Sequence, residues 1–227
     1  MLIKKPDSCN MKNLLNRLHR NIEYSENKIN NFSKNKFDFY SATSKGKILF
    51  VGEGNMSFAL NIIKHSSNFH NIIVTTFEKS ENLSQFAKIN SMILKKHNVT
   101  IVHGVDCTNL DNFRNRIFDK IIFGFPNTGT REFISGYHPN YLLVKNFLDI
   151  AAKKISTFGS VVISYVDNEY YNNVFKFYKI ARLAGFNKII KYIFDPKDFR
   201  GYKHPMTHEE ESALEGHKKF ATLEFRL

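Results

Sequence analysis

Apolar positions along the chain switch between two spacings, one typical of strands and one typical of helices. Four apolar residues in a row at Ile48–Val51 suit a strand that is covered on both faces. From Phe58 to Ile63 the apolar positions recur at helical spacing, which predicts a helix over about residues 56–66. The same alternation predicts strands at 71–77, 99–105, 118–125 and 161–166, and helices at 81–97, 109–116, 140–154 and 170–184.

Strands that alternate with helices predict an α/β fold with a mostly parallel sheet and helices on both faces. Two last strands are predicted at 187–194 and 219–225, with no convincing long crossover helix between them. We therefore expect these two to pair antiparallel, which gives a sheet of seven strands. Thr207 and Glu210 have the spacing of a capping box, so one or two helical turns are expected over 210–217.

Residues 1–45 differ in composition from residues 46–227, and we expect an N-terminal extension followed by one folded domain. The extension is rich in Asn, Lys and Ser, with nine Lys and Arg against four Asp and Glu. Apolar residues at 14, 15, 18 and 22 predict a short basic helix, and 27–36 are expected to be flexible. The extension is interpreted either as a basic arm that holds nucleic acid or as a helix on the domain's flank.

The turn after the first predicted strand contains two glycines. Gly52 and Gly54 allow a sharp turn and a close approach of ligand to backbone, and Ser57 stands where a third small residue is usual. Such a turn, followed by a helix, is typical of a nucleotide-type site with the helix N-terminus directed at the ligand. A tight turn without a ligand is the alternative interpretation.

Polar residues and a proline follow the next three predicted strands. Glu78 lies about 25 residues beyond the glycines, where a ribose-binding carboxylate is expected. Asp106 follows the third strand, and 125–127 (Phe-Pro-Asn) follow the fourth. Because the carboxyl ends of parallel strands meet at one edge, a ligand site is predicted there.

Charge adds a candidate partner. The chain carries 33 Lys and Arg against 21 Asp and Glu, a net charge of +12. This favours polyanionic partners, nucleic acid first and anionic membrane second. Residues 176–203 hold eight basic residues against two acidic ones, which would suit a phosphate track.

Several classes of protein are not expected. Cys9 and Cys107 are too few for a disulfide framework or a zinc cluster, and no signal peptide or apolar run of about 20 residues is visible. We expect an intracellular, cytoplasmic protein in a reducing compartment. His204 and His208 are four apart, but Pro205 makes one shared helix face unlikely, so no metal is expected.

The strand-end motifs together resemble those of the ribosomal RNA uridine-N3 methyltransferase family, typified by the yeast large-subunit enzyme. The resemblance covers about residues 46–227. It is carried by five segments in order: 51–59, 104–108, 118–127, 140–143 and 201–207.

The resemblance implies a Rossmann-like class I methyltransferase fold, with S-adenosylmethionine as methyl donor and ribosomal RNA as partner. A nucleolar location is expected if the source is eukaryotic. In this reading Glu78 holds the ribose, Asp106 the adenine, and Glu53 can face the donor's positive charge. The residues expected to bind the donor are Gly52, Glu53, Gly54, Asn55, Ser57, Phe58, Glu78, Asp106 and Cys107.

The resemblance also implies roles at the acceptor. Asn127 is expected to orient the base, and His204 to take its N3 proton as general base. Phe125 and Pro126 are expected to stack on a base taken out of its helix. Gly124 and Asn127 replace Asn and His of the family pattern, and Met56 replaces an aromatic residue. Another acceptor (a small molecule or a protein) and a non-catalytic RNA-binding module therefore stay open as alternatives. A nicotinamide-dependent oxidoreductase is a further rival, against which Ser57 and the resemblance argue.

Overall fold

The structure is a computed structural model that describes residues 31–204, 214 and 216–227. Within these residues eight strands form, in chain order: β1 (Asn31–Lys36), β2 (Ile48–Val51), β3 (Ile72–Thr75), β4 (Thr100–Val102), β5 (Phe118–Gly124), β6 (Ile155–Val166), β7 (Lys188–Phe194) and β8 (Phe220–Arg226). The α-helices of the same residues are α1 (Phe39–Thr43), α2 (Ser57–Ile63), α3 (Gln85–Lys96), α4 (Pro139–Ala151), α5 (Glu169–Phe175) and α6 (Phe177–Leu183).

The strands form one sheet in the order β1-β7-β8-β6-β5-β2-β3-β4. Strands β4, β3, β2, β5 and β6 are parallel neighbours, whereas β8 runs antiparallel between β6 and β7. The predicted α/β fold with a mostly parallel sheet and antiparallel pairing of the last two strands is confirmed. The strand count is eight rather than seven, because β1 adds an edge strand.

The edge strand β1 comes from a stretch that the sequence predicts to be flexible, and for residues 31–36 that prediction is wrong. Helix α1 follows, and the ring of its Phe39 is 2% exposed and lies 5.1 Å from the ring of Phe58. The compact unit runs from Phe32 to Leu227, so it begins before residue 46. The predicted helix at 14–22 and the proposed capping box at 207–210 lie outside the described residues.

The core consists of one apolar layer on each face of the sheet. In β2, Leu49 and Val51 pack into the layer that contains α4, while Ile48 and Phe50 pack into the layer that contains α2. All four side chains are fully buried. This explains the unbroken apolar run, because a strand with helices on both faces has no solvent side.

Two predicted helices differ from their predicted form. The helix predicted over 170–184 is divided at Lys176, which has the left-handed φ of 48°. Phe175 and Phe177 are both buried, and residues two apart point to opposite sides of a straight helix, so the break lets both rings enter the core. The helix predicted over 109–116 is one 3-10 turn, Asp111–Phe113, preceded by a bond from the Asp111 N–H to the Asn109 side chain.

No helix of the described residues is long and apolar enough to cross a membrane.

Candidate functional site

Backbone hydrogen bonds join the loops that follow β2, β3 and β4. The Glu53 N–H donates to the Thr75 carbonyl over 2.9 Å, and the Gly104 N–H donates to the Glu78 carbonyl over 3.0 Å. These three strands are parallel neighbours, so their loops lie side by side at the carboxyl end of the sheet, which we call this edge. The strand order therefore brings Gly52, Gly54 and Glu78 together there, as the sequence predicts.

The two glycines of the first loop serve different needs. Gly52 has a φ of +64°, and a Cβ at this position would lie 2.8 Å from the Phe123 ring. The fold itself therefore requires glycine here. A Cβ on Gly54 would meet no atom within 4 Å, and Gly54 is exposed. The loop thus leaves open space beside Gly54, into which a bound ligand could fit.

The Glu53 side chain turns into the protein. Its Oε2 accepts the Ala59 N–H over 3.0 Å, and burial raises the pKa of this carboxyl to about 7. Asn55 Oδ1 accepts the Ser57 N–H over 3.0 Å. Two N–H groups at the start of α2 are thus bonded by the chain's own side chains, contrary to the expectation of a helix N-terminus open to ligand. The loop backbone, rather than the helix end, faces the open space.

Three other residues expected at the donor connect the glycine loop to the segment 199–204. The Asn55 amide and the Ser57 hydroxyl each donate to the Lys203 carbonyl over 2.9 Å. The Phe58 ring is buried and lies 5.2 Å from the Tyr202 ring. These side chains fix the shape of the loop, and they do so by holding the late segment of the chain against it.

The acidic residues after β3 and β4 remain accessible, but the cysteine does not. Glu78 is partly exposed and Asp106 is exposed. Asp106 Oδ1 accepts from the N–H and the hydroxyl of Thr108, over 2.8 and 2.7 Å. Cys107 is buried, and burial raises the pKa of its thiol to about 12. Its side chain is therefore a neutral part of the core, and only its backbone lies on the edge.

Sequence reasoning did not single out two features beside Glu78. Phe77 is 69% exposed, because β3 ends at Thr75 and the predicted strand does not continue to residue 77. The Thr76 hydroxyl donates to the Glu78 carbonyl over 2.8 Å and lies 2.8 Å from His103 Nδ1. Because that hydroxyl has a single proton, Nδ1 of His103 is the donor to it. The sequence signal that could have revealed this feature is Phe77, an aromatic residue directly before Glu78 at the end of a predicted strand.

The strand end of β5 is strained and packed. Phe125 has a φ of +52°, and its N–H donates to the Ser164 carbonyl over 2.7 Å. Its ring is 9% exposed and lies 5.3 Å from Phe194 and 4.9 Å from His204. Pro126 is also buried. In this conformation neither ring is available to stack on a base, contrary to the expectation.

Asn127 is exposed at this strand end, and its side chain is hydrogen-bonded to the buried Asn140. Asn127 Oδ1 accepts from the Gly129 N–H over 3.1 Å and from Asn140 Nδ2 over 3.2 Å. Asn140 is 5% exposed, and its Oδ1 accepts the Thr128 N–H over 2.8 Å. The sequence noted Asn140 only as a matching position of a motif. The structure places it under the loop, where it sets the course of residues 127–129.

His204 is bonded to Tyr202 through the nitrogen nearest its backbone. His204 Nδ1 lies 2.9 Å from the Tyr202 hydroxyl. Burial lowers the pKa of His204 to about 4 and raises the pKa of Tyr202 well above its ordinary value. The phenol and the ring are both neutral in this setting, and the bond joins the Tyr202 hydroxyl to His204 Nδ1. With Nδ1 bonded to Tyr202 and the charged ring disfavoured by burial, the geometry favours a positioning role for His204.

A family-level sequence profile matches residues 49–206, from within β2 to two residues beyond His204. Its description is BMT5-like rRNA (uridine-N3-)-methyltransferase. The chain belongs to this methyltransferase family.

Curated relatives share the matched region with the chain. An uncharacterized Arabidopsis thaliana protein is 29% identical over 175 residues, which are 72% of this chain and 82% of that protein. The human ferredoxin-fold anticodon-binding domain-containing protein 1 is 26% identical over 69% of this chain and 27% of its own length. The Arabidopsis heavy metal-associated isoprenylated plant protein 41 is 28% identical over 71% of this chain and 33% of that protein. The chain thus spans a third or less of the last two relatives.

Solved structures confirm the methyltransferase fold. A Pyrococcus furiosus methyltransferase superimposes with a TM-score of 0.53 at 17% identity, over 83% of this chain and 79% of that one. The N-methyltransferase NodS from Bradyrhizobium japonicum gives a TM-score of 0.50 at 11% identity, over 83% and 89%. The Rossmann-like class I fold expected from the motifs of this family is therefore shown.

Some charged side chains of the basic stretch 176–203 form ion pairs, and others are exposed to solvent. Lys191 Nζ lies 2.8 Å from Asp167 Oδ1, so its charge is paired. The two acids of the stretch, Asp195 and Asp198, both lie within 3.2 Å of Lys36 Nζ. Lys36 therefore supplies a cation from outside the stretch for its acids. The remaining basic side chains at 176, 179, 182, 188, 197, 200 and 203 are exposed.

Within the described part of the chain, no group of three or more His, Cys, Asp or Glu side chains is arranged to hold a metal ion. His208, one of the two histidines considered for a metal pair, lies outside that part.

Proposed function

We propose that the chain transfers a methyl group from S-adenosylmethionine to N3 of a uridine in ribosomal RNA. The observation that carries this proposal is the family match over 49–206, which includes the glycine loop, the Asn127 strand end and the Tyr202–His204 segment. Family membership gives the reaction class. The open space beside Gly54 supports the carboxyl end of the sheet as the donor site.

The donor fits the glycine edge. Space beside Gly54 is open, and Glu78 is partly exposed at the end of the neighbouring strand. When bound, S-adenosylmethionine supplies a methyl group that is already activated by its positive sulfur. Gly54 would accept the donor against its backbone, and Glu78 would accept hydrogen bonds from the ribose hydroxyls. The buried Glu53 would act on the donor only through the loop that it shapes.

At the acceptor, the chain would work mainly by positioning. Asn127 Oδ1 accepts two bonds inside the protein, and its amide nitrogen is a donor of the kind that bonds to a uracil carbonyl oxygen. Asn140 fixes its orientation through the 3.2 Å bond between Asn140 Nδ2 and Asn127 Oδ1. Correct placement of two reactants can account for a large part of a methyl transfer barrier.

The first test is methyl transfer to RNA from cells in which the gene has been deleted. The purified chain is incubated with labelled S-adenosylmethionine and total RNA, and the nucleosides are then separated by mass spectrometry. Label in 3-methyluridine is the expected result. Label in a different nucleoside would keep the enzyme class and change the target. Donor binding without any labelled nucleoside would instead support another acceptor or a non-catalytic RNA-binding module.

A matched variant tests the place of the donor. Gly54 has a negative φ and no neighbour around its missing side chain, so Gly54→Leu fills the open space without a clash inside the protein. We expect an unchanged melting temperature and loss of S-adenosylmethionine binding by calorimetry. Retention of full donor affinity would exclude this loop as the donor site. Binding of a nicotinamide cofactor in place of S-adenosylmethionine would favour the oxidoreductase alternative.

A further inference from the structure

An aromatic surface lies on the loop and helices next to the Asn127 strand end, outside the proposed donor site, and three of its rings are exposed. We call it the aromatic cluster, and its members are Arg131, Phe133, Tyr137, His138, Tyr141 and Tyr170. Phe133, Tyr137 and Tyr170 are 68%, 54% and 45% exposed. Large aromatic side chains that stand out from the surface as a group mark an interaction site more often than isolated ones do.

Hydrogen bonds hold the loop that carries much of the cluster. Ile134 and Tyr137 exchange two backbone hydrogen bonds of 2.9 and 3.0 Å. Between them, Ser135 and Gly136 both have positive φ, 50° and 80°, as the tight hairpin turn of type I′ requires. At its base the loop is bonded to the buried Asn140. Tyr137 therefore lies in a hydrogen-bonded turn and Phe133 directly precedes it, which lowers the entropy that binding would cost.

Tyr137 and Tyr141 form a stacked pair within the cluster. The Tyr137 ring stacks on that of Tyr141, with centroids 5.5 Å apart and planes 12° from parallel. Tyr141 in turn packs against the hydrophobic core. The stack is thus supported from the inside, while more than half of the Tyr137 side chain stays exposed. A third flat ring could extend this stack outward.

A second group of contacts within the cluster joins His138, Tyr170 and Arg131. His138 Nδ1 accepts the Asn140 N–H over 3.1 Å, so the neutral ring carries its proton on Nε2 and donates it to the Tyr170 hydroxyl over 3.2 Å. The Tyr170 proton itself is then free, among the described residues, to be donated to a ligand. The Arg131 guanidinium lies 5.8 Å from the Tyr170 ring, and no carboxylate of the described residues pairs with it.

We propose that the aromatic cluster binds an unpaired base of the RNA acceptor, next to the nucleotide held at Asn127. Base stacking on Tyr and Phe rings, with an unpaired Arg nearby for phosphate, is how proteins hold single-stranded nucleic acid. The net charge of +12 suits such a partner. This inference rests on the proposed function and adds to it the form of the acceptor, which is a single-stranded or splayed segment rather than an intact duplex.

The test uses the full chain and a short single-stranded uridine-rich RNA that carries the fluorescent base 2-aminopurine. We expect Tyr137→Ala to weaken binding about tenfold and to remove most of the quenching that stacking causes, since one base–aromatic stack is worth between several-fold and a hundredfold. Tyr137→Phe keeps the ring and should retain binding. A matched duplex should bind more weakly than the single strand.

Phe158→Ala is the matched control. Phe158 is 97% exposed and lies near the amino end of β6, whereas Asn127 follows the carboxyl end of the neighbouring parallel strand β5. This variant should leave RNA binding and quenching unchanged. All variants should keep the wild-type melting temperature and S-adenosylmethionine affinity, because none of these side chains takes part in the core or the donor site.

The outcomes separate this inference from the function it rests on. Suppose that wild type binds the donor and methylates RNA, while Tyr137→Ala and Phe133→Ala bind RNA like wild type. The aromatic cluster is then not an RNA site, and its exposed rings would instead indicate a protein partner. If wild type fails to bind S-adenosylmethionine at all, the proposed function fails instead. A variant that raises KM for RNA tenfold with unchanged kcat would support the positioning of RNA by the cluster.

Discussion

Three ionisable groups near the glycine loop, one buried and two partly buried, have shifted pKa values. Burial raises the pKa of Glu53 to about 7 and lowers that of His204 to about 4. Burial, and after it the charge of Glu53, raise the pKa of Tyr202, whose hydroxyl is bonded to His204. At pH 5 to 6 the folded chain therefore holds Glu53 protonated and His204 neutral. Neither charged form is favoured in this apolar setting.

Stability should depend on pH through Glu53. The unfolded chain loses this proton near pH 4.5 and the folded chain near pH 7, so stability falls as pH rises across that window. The difference corresponds to about 3 kcal/mol. Glu53→Gln keeps an oxygen for the Ala59 N–H and removes the charge. Relative to wild type, it should gain about 3 kcal/mol between pH 4.5 and 8 in urea unfolding.

Glu81→Gln is the control for that measurement, because Glu81 is exposed, and its stability should follow wild type at every pH. Parallel curves for Glu53→Gln and wild type would show that the Glu53 carboxyl is not held protonated in the fold.

His204 should produce the opposite dependence. Its folded pKa lies below its ordinary value of 6.5, so wild type loses stability as pH falls from 6.5 to about 4. His204→Gln lacks this loss and should become more stable relative to wild type by about 3 kcal/mol at pH 4. The same variant tests catalysis. If His204 positions rather than takes a proton, turnover should fall no more than the affinity for RNA does, and a loss in kcat alone would contradict a positioning role.

At the scale of elements, the pattern of apolar residues predicted seven of the eight strands, since strands such as β2 and β5 are buried on both faces. It could not find β1, because 31–36 is an Asn- and Lys-rich stretch with the composition of a linker. It also could not find the break at Lys176. Apolar residues on either side continue a helical spacing, and only the packing of Phe175 and Phe177 shows why the backbone turns.

Lys176 offers a test of that break. A non-glycine residue in the left-handed region costs about 1–2 kcal/mol, part of which glycine would relieve. Lys176→Gly should therefore raise the free energy of unfolding by about 0.5–1 kcal/mol in urea titration. Lys179→Gly, at an exposed position inside α6, should lower it by about 1 kcal/mol. Equal losses in both variants would mean that residue 176 continues a helix.

At the scale of the whole molecule, topology could be predicted further than side-chain direction. Parallel order brings Gly54, Glu78 and Asn127 to one edge whatever their rotamers, and so the sequence located this edge. Whether Glu53 faces a ligand or the core depends on two opposing energies: the cost of burying its carboxyl and the gain from its hydrogen bond to the Ala59 N–H. The pattern of neighbouring residues does not predict that difference. The same holds for Phe125, whose ring is taken up by partners from β7 and from residue 204. Long-range packing therefore decided the residues that the pattern misjudged.

Net charge is a property of the whole chain, and it should control RNA binding through salt. Each phosphate contact on a single strand contributes about −0.7 to the slope of log affinity against log salt. With about four contacts, affinity for an unstructured RNA should fall roughly fiftyfold between 50 and 200 mM salt. Binding of S-adenosylmethionine, which has little net charge, should change far less. Salt titrations of both ligands by fluorescence and calorimetry measure the contrast.

The stretch that crosses the glycine loop should carry part of that slope. Arg200 and Lys203 are exposed, and the Lys203 ammonium lies over the Phe86 ring rather than beside a carboxylate. The double variant Arg200→Gln, Lys203→Gln should reduce the magnitude of the slope by about 1.4. Lys145→Gln is the matched control, because Lys145 is already paired with Asp149 at 2.8 Å, and its slope should equal that of wild type. If the double variant gives the wild-type slope with reduced affinity, these side chains act on the shape of the loop and not on phosphate, and the phosphate track must lie on another face of the chain.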